Sequence, residues 1–281
     1  MTKKESRPCH SILLCRREFF VPLCFFFLLV SLAGWGSFLW KADPLKTDLA
    51  GRLSAPSMDH PMGTDGSGRD IFSRFIHGAR ISLLSGLIVV FVSGIIGNIL
   101  GILAAHFRGI VDVSIMRLLD IFLAFPQLIL AMAVSICLGP SLKSAVAGIA
   151  LGCIPVYARL MRSEVLQIES RQFVTAAGLL GFSSVYIFIR HIIPQTAPTM
   201  LIQSAAVFGS TIISLSALGF VGLGAQIPTP EWGAMISEGM VYILNGGWWI
   251  ALWPGLGLFI AVAGANIFSD SLSNFITRKN I

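Results

Sequence analysis

Long apolar segments recur along this chain, and they restrict its fold more than any other feature. Spanning roughly 30 Å of hydrocarbon takes about 20 residues of helix. Only helices and closed barrels satisfy their backbone hydrogen bonds inside lipid. Six segments qualify by length and composition: 19–40, 81–105, 121–138, 144–160, 200–223 and 248–268. We therefore predict an all-α polytopic membrane protein with six transmembrane helices.

The composition supports a membrane protein and excludes several other classes. Of the 281 residues, 55% are hydrophobic and only 12% are charged, against roughly 25% charged in ordinary soluble domains. The net charge is +6, but the basic residues are scattered instead of forming the patch that a nucleic-acid interface requires. The five cysteines have no CxxC spacing, which argues against a disulfide framework or a metal site. We expect membrane lipid, and no nucleic acid, as a partner.

Basic residues beside the apolar segments predict the orientation of the chain, because short cytoplasmic flanks are enriched in Lys and Arg. Residues 1–18 contain five of them, and residues 278–279 are Arg and Lys. Residues 225–247 contain none. We expect a multi-pass membrane protein with both termini in the cytoplasm. The apolar run 19–40 is longer than the roughly 7–15 residues of a signal-peptide core, so we interpret it as an uncleaved anchor.

These patterns divide the chain into four regions. Residues 1–18 form a basic cytoplasmic tail, and residues 19–80 form the anchor followed by an extracytoplasmic loop. Residues 81–275 form the transmembrane core, which includes a cytoplasmic loop at 159–195. Residues 276–281 form the cytoplasmic C-terminus.

The extracytoplasmic loop is predicted to be irregular, with a helix at its end. Pro44, Pro56 and Pro61 and the glycines of 63–68 disfavour regular structure. Asp70 is an acidic residue of the kind that stabilises a helix N-terminus. We predict a short helix that starts there and lies along the membrane surface, or else a plain spacer. Its apolar side would consist of Ile71, Phe72, Phe75 and Ile76.

Two further patterns concern the packing of the apolar segments. Pro126 interrupts the third segment, and a proline in a membrane helix produces a kink when neighbours satisfy the freed backbone groups. Small residues four apart let helix backbones approach closely. Gly97 with Gly101, and Gly148 with Gly152, have this spacing. We expect these pairs to mark close helix contacts inside the protein.

The sequence carries no enzyme signature. It has no phosphate-binding GxxxxGK[ST] motif, no HExxH and no GxSxG. Asp120 follows Arg117 by three residues, which predicts an ion pair within one helix. A carrier driven by protons or sodium ions is expected to have a carboxylate in the middle of a transmembrane span. The six predicted spans have no carboxylate in that position. A transporter powered by another protein is favoured, with an ion-coupled secondary carrier, a channel and a membrane scaffold as alternatives.

The polar loop between the fourth and fifth segments predicts a helical hairpin. Ser170 can cap the start of its first helix, and Gly181 is suited to end it. Ser183 or Ser184 can cap a second short helix. This second helix should stop before Pro194, because the residue before a proline avoids the helical conformation.

An apolar stripe is predicted on the first helix of the hairpin. It consists of Phe173, Val174 and Ala177, with Ala176 as a small neighbour. One aromatic anchor among small residues suits docking into a groove of a soluble partner. The same stripe suits packing of the helix against its own bundle equally well. The residues alone leave both interpretations open.

Several motifs resemble the permeases of ATP-binding-cassette (ABC) importers. Residues 175–194, with Thr-Ala-Ala at 175–177, a glycine at 181 and His-Ile-Ile-Pro at 191–194, are similar to the EAA loop of that family. More specifically, the chain resembles the C-type permeases of dipeptide, oligopeptide and nickel importers. Further matching segments follow in order along nearly the whole chain: HPMGTD at 60–65, GRD at 68–70, GARISL at 78–83, MR at 116–117 with Asp120, AFP at 124–126, GFVGLG at 219–224, PTPEWG at 228–233 and WPG at 253–255.

The resemblance implies a subunit of a larger complex in the bacterial inner membrane. The chain would have the type I importer permease (MetI-like) fold and form half of a translocation pathway for di- or oligopeptides, as a heterodimer with a homologous second permease. Two ATP-binding subunits would supply energy, and an extracytoplasmic substrate-binding protein would deliver the substrate. The chain itself would be no enzyme and would bind no cofactor, since ATP–Mg would lie on the partner subunits. A permease for nickel or a metal chelate is the alternative.

The resemblance also implies functional residues. Those expected to couple the permease to its ATP-binding subunits are Arg171, Phe173, Val174, Thr175, Ala176, Ala177, Gly181, His191 and Pro194. Those expected to dock the binding protein or form an outer gate are Pro228, Pro230, Glu231 and Trp232. No metal-binding or catalytic residue is expected. Thr175 stands where the family usually has a glutamate, which would remove one polar contact with the ATPase.

Overall fold

The computed structural model describes residues 43–279, whose regular structure is helical. The helices are α1 (Ile71–Phe107), α2 (Gly109–Leu123), α3 (Gln127–Leu138), α4 (Leu142–Glu169), α5 (Gln172–Leu179), α6 (Ser184–Ile187), α7 (Ile193–Val221), α8 (Trp232–Met240) and α9 (Trp249–Lys279). A π-helical turn, Phe188–Ile192, connects α6 to α7. Short 3-10 turns lie at Leu49–Gly51 and Ile243–Asn245. The all-α prediction is therefore confirmed for the described part of the chain.

Within this part, four stretches of helix are long and apolar enough to cross a membrane: Ile71–Phe107, Leu142–Glu169, Val185–Val221 and Trp249–Ile276. The bent pair of α2 and α3 makes a fifth if it is counted as one span. These stretches correspond to the second to sixth predicted segments. The predicted tail and first segment, residues 1–40, lie outside the described residues.

The bundle has two ends that differ in structure. Helices α1 and α4 run in the same direction, since Gly97 contacts Tyr157 and Gly101 contacts Met161. At the end where they begin lie residues 43–70, α8 and the start of α9, and we call this the loop end. At the end where they finish lie α5 and α6, and we call this the hairpin end.

Helix α1 begins where the sequence predicted a helix, but it is not a separate surface helix. The Asp70 carboxylate accepts a hydrogen bond from the Ser73 backbone N–H at 2.8 Å and so caps the N-terminus. From Ile71 the helix continues for 37 residues into the predicted second segment. Ile71 is buried in a cluster with Trp232 and Trp249. The surface-helix prediction is wrong, because the apolar side of this first part of α1 packs against α8 and α9 and not against lipid.

The third predicted segment is broken, and not merely kinked. Helices α2 and α3 meet at an angle of 85° across the three residues between them. Pro126 occupies the N-cap position of α3 with extended backbone. Because proline has no N–H and the residue before it avoids the helical conformation, α2 stops there and α3 starts in a new direction.

The glycine pairs lie where helices touch, as predicted. A Cβ atom on Gly97 would lie 2.5 Å from the Tyr157 Cβ, and one on Gly101 would lie 2.5 Å from the Ala158 carbonyl oxygen. A Cβ atom on Gly148 would lie 2.8 Å from the carbonyl oxygen of Ala131 in α3. Real side chains cannot approach this closely, so these glycines allow α1 and α3 to pack against α4.

Candidate functional sites at the two ends of the bundle

The hairpin of α5 and α6 turns at Gly181. Its φ of +85° is a left-handed conformation that favours glycine. The backbone N–H groups of Gly181 and Phe182 donate to the carbonyls of Gly178 and Ala177, at 3.1 and 3.3 Å. This pattern satisfies the last carbonyls of the helix. The predicted helix terminator at Gly181 is confirmed.

The caps of the hairpin differ in part from the prediction. Ser170 does not cap α5, because α4 extends to Glu169 and Ser170 is its C-cap, with its hydroxyl donating to the Gln167 carbonyl at 2.8 Å. Arg171 takes the N-cap position of α5 without a side-chain hydrogen bond. Ser183 behaves as predicted, since its hydroxyl accepts from the Tyr186 N–H at 3.3 Å.

The second helix of the hairpin does not stop before Pro194. It passes through the π-helical turn Phe188–Ile192 and continues directly as α7. Pro194 lies in the first turn of α7, directly after the π-helical turn, and its missing N–H removes one backbone hydrogen bond from the continuous helix. The wider π-turn, a feature common at functional sites, makes the junction possible. The prediction of a stop is therefore wrong.

Helix α5 has two faces with different roles. Val174 and Ala177 pack inward against a cluster that includes Met161 and Phe188. Phe173, by contrast, is exposed. The predicted stripe is therefore divided in exposure: Val174 and Ala177 are half-buried, whereas Phe173, one turn before Ala177, is exposed. Helix α5 therefore packs inward through Val174 and Ala177 and leaves Phe173 at the surface.

The outward surface of the hairpin is apolar to an extent that the sequence analysis missed. At its tip, Leu179 and Leu180 are 86% and 78% exposed. The surface continues over exposed side chains of the turn and the second helix: Phe182, Val185, Tyr186 and Ile189. We call these six residues together with Phe173 the apolar tip. The run of Leu179, Leu180 and Phe182 around Gly181 was the signal available in the sequence.

His191 connects the aromatic side chains of the hairpin. Its ring centroid lies 6.0 Å from that of Tyr186 and 6.4 Å from that of Phe173, both edge-on. Phe182 stacks on Tyr186 at 5.2 Å. The structure thus brings the predicted residues Phe173 and His191 together on the apolar tip. The predicted residues Arg171, Thr175 and Ala176 are exposed beside them.

At the loop end, the predicted docking residues have mostly interior positions. Glu231 is 1% exposed and caps α8, accepting from the N–H groups of Gly233 and Ala234, each at 2.9 Å. It also accepts from the Ser82 hydroxyl of α1 at 3.2 Å. Burial raises the pKa of Glu231, and these hydrogen bonds oppose that rise. Glu231 therefore joins α8 to α1 and presents no side chain for docking.

Trp232 is the second interior residue of this motif. Its ring stacks on Phe75 of α1 at 5.5 Å, and its Nε1–H donates to the Phe75 carbonyl at 3.1 Å. Pro230 is buried and Pro228 is exposed. Of the four residues expected to dock a partner or gate the pore, only Pro228 lies on the surface. Glu231 and Trp232 hold α8 against α1, and Pro230 is buried.

Three buried charged residues and the partly buried Glu238 form a further contact between α8 and the start of α1, which the sequence analysis did not predict. Asp65 and Arg69 precede α1, Arg74 is in its first turns, and Glu238 is in α8. Arg69 donates to Asp65 at 2.7 Å and to Glu238 at 3.1 Å, and Arg74 donates to Glu238 at 2.6 Å. The two guanidinium groups balance the two carboxylates, as buried charges require. The segments HPMGTD and GRD carried this signal.

Three ion pairs join helices at the hairpin end. Arg162 of α4 binds Asp112 of α2 through two hydrogen bonds of 2.6 Å. Arg159 binds Asp120 at 2.5 Å. Arg108, between α1 and α2, binds Glu169 at 2.6 Å. The predicted pair of Arg117 with Asp120 is wrong, because Asp120 faces α4. Among residues 43–279, no group of three His, Cys, Asp or Glu side chains could hold a metal ion.

Comparison with known proteins places this architecture in a family. The model for the binding-protein-dependent transport system inner membrane component matches residues 97–281. The probable D,D-dipeptide transport system permease protein DdpC of Escherichia coli K12 is 41% identical over 242 residues, covering 85% of this chain and 81% of that protein. The dipeptide transport system permease protein DppC of Alkalihalophilus pseudofirmus is 38% identical over 253 residues, covering 90% and 82%.

A solved structure supports the fold independently. The MetNI methionine ABC transporter in an inward-facing conformation has a chain that matches with a TM-score of 0.53 at 18% identity, covering 70% of this chain and 96% of that one. The all-helical bundle and these relatives agree on a multi-pass inner membrane protein. The chain belongs to the inner membrane components of binding-protein-dependent transport systems, and within them to the dipeptide and oligopeptide group of ABC importer permeases.

Proposed function

We propose that this protein forms half of the membrane pathway of an ABC importer for di- or oligopeptides, and that the apolar tip docks on an ATP-binding subunit. The observation that carries the proposal is the exposure of the large apolar side chains of the apolar tip at the hairpin end. A soluble protein surface seldom leaves so many large apolar side chains together without a partner. The names of the relatives, which specify dipeptides, support the substrate class.

The proposed complex contains a homologous second permease, two ATP-binding subunits and an extracytoplasmic substrate-binding protein. This chain contributes six spans, the first at 19–40, with both termini and the hairpin in the cytoplasm. The loop end then faces outward and receives the binding protein. ATP–Mg is bound by the ATP-binding subunits, so this chain carries no cofactor and catalyses no reaction. Exposed residues of the loop end, such as Pro228 and Val241, are better placed for docking than Glu231 or Trp232.

The inward and outward contacts of α5 suggest how a movement of the ATP-binding subunit reaches the transmembrane helices. On the outer face, burial of the apolar tip stabilises the contact by about 25 cal/mol for each Å² removed from water. On the inner face, Val174 and Ala177 pack against a cluster that includes the end of α4 and the π-turn leading into α7. A movement of the ATP-binding subunit therefore displaces the hairpin and the long helices together. Thr175 in place of a glutamate removes little from this contact, because exposed ion pairs contribute only about 0–1 kcal/mol.

Alternatives of other kinds are less well supported. No relative reported above is named for nickel or a metal chelate. An ion-coupled secondary carrier would stand outside the family to which the chain belongs. The peptide importer is therefore the function that we propose.

Co-purification tests the docking role of the apolar tip. The double variant Leu179→Asp/Leu180→Asp, carrying an affinity tag, should no longer retain the ATP-binding subunits, because charged carboxylates would have to be buried at the contact. Its control is Leu244→Asp at the loop end, where the leucine is 96% exposed. This control should retain the ATP-binding subunits fully. Equal retention by both variants would show that the apolar tip is not the docking surface.

Uptake tests the substrate class separately. Cells that produce the unaltered chain should accumulate radiolabelled dialanine in an ATP-dependent manner, and cells with the Leu179→Asp/Leu180→Asp variant should not. Uptake that persists without ATP and collapses with the proton gradient would contradict an ABC importer.

A further inference from the structure

Helix α4 is divided by a proline at its middle. Pro155 is buried inside the helix, and its missing N–H leaves the Leu151 carbonyl without a helical hydrogen bond. Such positions are the usual sites of kinks in long helices. Residues 142–154 form the part toward the loop end, and residues 156–169 form the part that leads into the hairpin.

The part of α4 toward the loop end is packed tightly against α3. A Cβ atom on Gly148 would lie 2.9 Å from the Ala131 Cα, and one on Gly152 would lie 2.9 Å from the Gln127 Cγ. Ala131 follows Gln127 while Gly148 precedes Gly152, so the two helices are antiparallel. Contacts this close leave α3 and this part of α4 little freedom to slide.

The part of α4 toward the hairpin is joined to α2 mainly by charge. It carries Arg159, Arg162 and Glu169, the α4 members of the three ion pairs described above. Of the fifteen residues of α2, all of which the structure describes, Leu119 alone is buried. Apolar packing therefore holds α2 only weakly, and the bidentate Arg162–Asp112 pair is its best-defined contact with α4.

The breaks in the two neighbouring elements lie opposite each other. Asp120 of α2 reaches Arg159, beyond Pro155 on the hairpin side. Gln127 of α3 contacts Gly152 and Cys153, before Pro155 on the loop side. The 85° bend between α2 and α3 therefore falls at the level of Pro155. The break between α2 and α3 and the proline of α4 therefore stand side by side.

The corner between α1 and α2 is also held by one of these ion pairs. Arg108 has φ +49° and ψ −164°, a region that residues other than glycine rarely occupy. Its guanidinium binds Glu169 at the last turn of α4. Beside this pair lies a cleft of about 340 Å³, lined by residues that include Val174 and Phe188 of the hairpin. The hairpin thus has space into which it can move.

We propose that the three ion pairs clamp α2 and the α1–α2 corner to residues 156–169 of α4, which pack on Gly97 and Gly101 of α1, so that these elements move as one body when the hairpin is pushed. The inference rests on the proposed function, because it needs an ATP-binding subunit to move the hairpin. Arg162 and Asp112 are positioning residues in this scheme. They touch neither ATP nor peptide, and they make α2 follow α4.

Charge reversal and charge exchange across the central pair test the clamp. The variants are Asp112→Arg, Arg162→Asp and the exchange D112R/R162D, each replacing the chromosomal copy. Arg117→Asp is the matched control, because it makes the same substitution at an exposed arginine of α2 outside the three pairs. The readouts are dialanine uptake by cells, abundance in the membrane, and ATP hydrolysis by the complex purified through a tag on this chain.

Each single reversal should lower uptake by about ten-fold or more, the size of a typical coupling between distant sites, while abundance and ATP hydrolysis stay close to normal. The exchange should restore most of the uptake, and Arg117→Asp should leave it unchanged. Normal uptake by the single variants, or an exchange as inactive as they are, would overturn the clamp and leave the proposed function standing. Failure of the unaltered complex to take up dialanine would overturn both.

Discussion

The interior position of Glu231 makes a strong prediction about stability. Replacement by alanine in Glu231→Ala removes the acceptor of the Gly233 and Ala234 N–H groups and of the Ser82 hydroxyl. Loss of an N-cap acceptor costs about 1–2 kcal/mol, and a buried donor without a partner costs roughly 1–3 kcal/mol. We therefore expect a total loss of about 2–5 kcal/mol, toward the lower value if the Ser82 hydroxyl rotates to another acceptor.

The assay is thermal unfolding of the purified protein in detergent, followed by the loss of its monodisperse peak in size-exclusion chromatography. A loss of this size should lower the midpoint by roughly 10 °C, at about 2–4 °C for each kcal/mol. The variant Glu231→Gln keeps one carbonyl acceptor and should lose only about 1–2 kcal/mol. The exposed Asp59 supplies the control Asp59→Ala, with an effect within about 0.5 kcal/mol. A midpoint for Glu231→Ala that equals the control would refute the capping role and the reasoning from burial.

Three further predictions concern the same protein in the same unfolding assay. Burial raises the pKa of Glu231, so the folded protein keeps the proton of this carboxyl group to a higher pH than the unfolded chain does, and the stability of the fold should fall as the pH rises from about 4.5 toward the raised pKa. The variant Glu231→Gln should flatten this part of the stability–pH profile. Parallel profiles for the unaltered protein and the variant would disprove this prediction. Gly97→Ala should destabilise by about 1–3 kcal/mol because its methyl group would overlap Tyr157, whereas Gly255→Ala, with open space around it, should not; equal midpoints would contradict the close contact. Gly181→Ala should cost about 1–2 kcal/mol through its left-handed backbone, and an effect no larger than that of Gly178→Ala would exclude this cause.

The hairpin shows how far local sequence reasoning reaches. Gly181 was identified as the helix terminator because a left-handed residue is a local requirement that glycine meets at least cost. The capping role of Ser170 was not predictable in this way, since this serine could cap either the C-terminus of the preceding helix or the N-terminus of the following one. The length of α4, which is set by packing at the hairpin end, decided between them. The continuous path through Pro194 likewise depends on a π-turn that no local propensity demands.

The loop end shows the opposite case. In the motif PTPEWG, the residues expected to dock the binding protein or form an outer gate are Pro228, Pro230, Glu231 and Trp232, but only Pro228 is exposed. Glutamate is rarely buried, so exposure of Glu231 was the natural expectation. Its burial became visible only when Ser82, about 150 positions earlier, was seen to donate to it. The same holds for Asp65, Arg69, Arg74 and Glu238, whose charges cancel only after α1 and α8 come together.

The sequence by itself determined the class of the protein, its long helices, its glycine contacts and its family, because apolar length, backbone restrictions and motif order are properties of the linear chain. Tertiary structure alone decided which face of α5 points outward, which carboxylate each arginine meets, and how sharply the third segment bends. These outcomes depend on contacts between residues far apart in sequence. Such contacts are chosen by the total burial of apolar surface and the pairing of charges across the whole bundle, and no single segment contains that information.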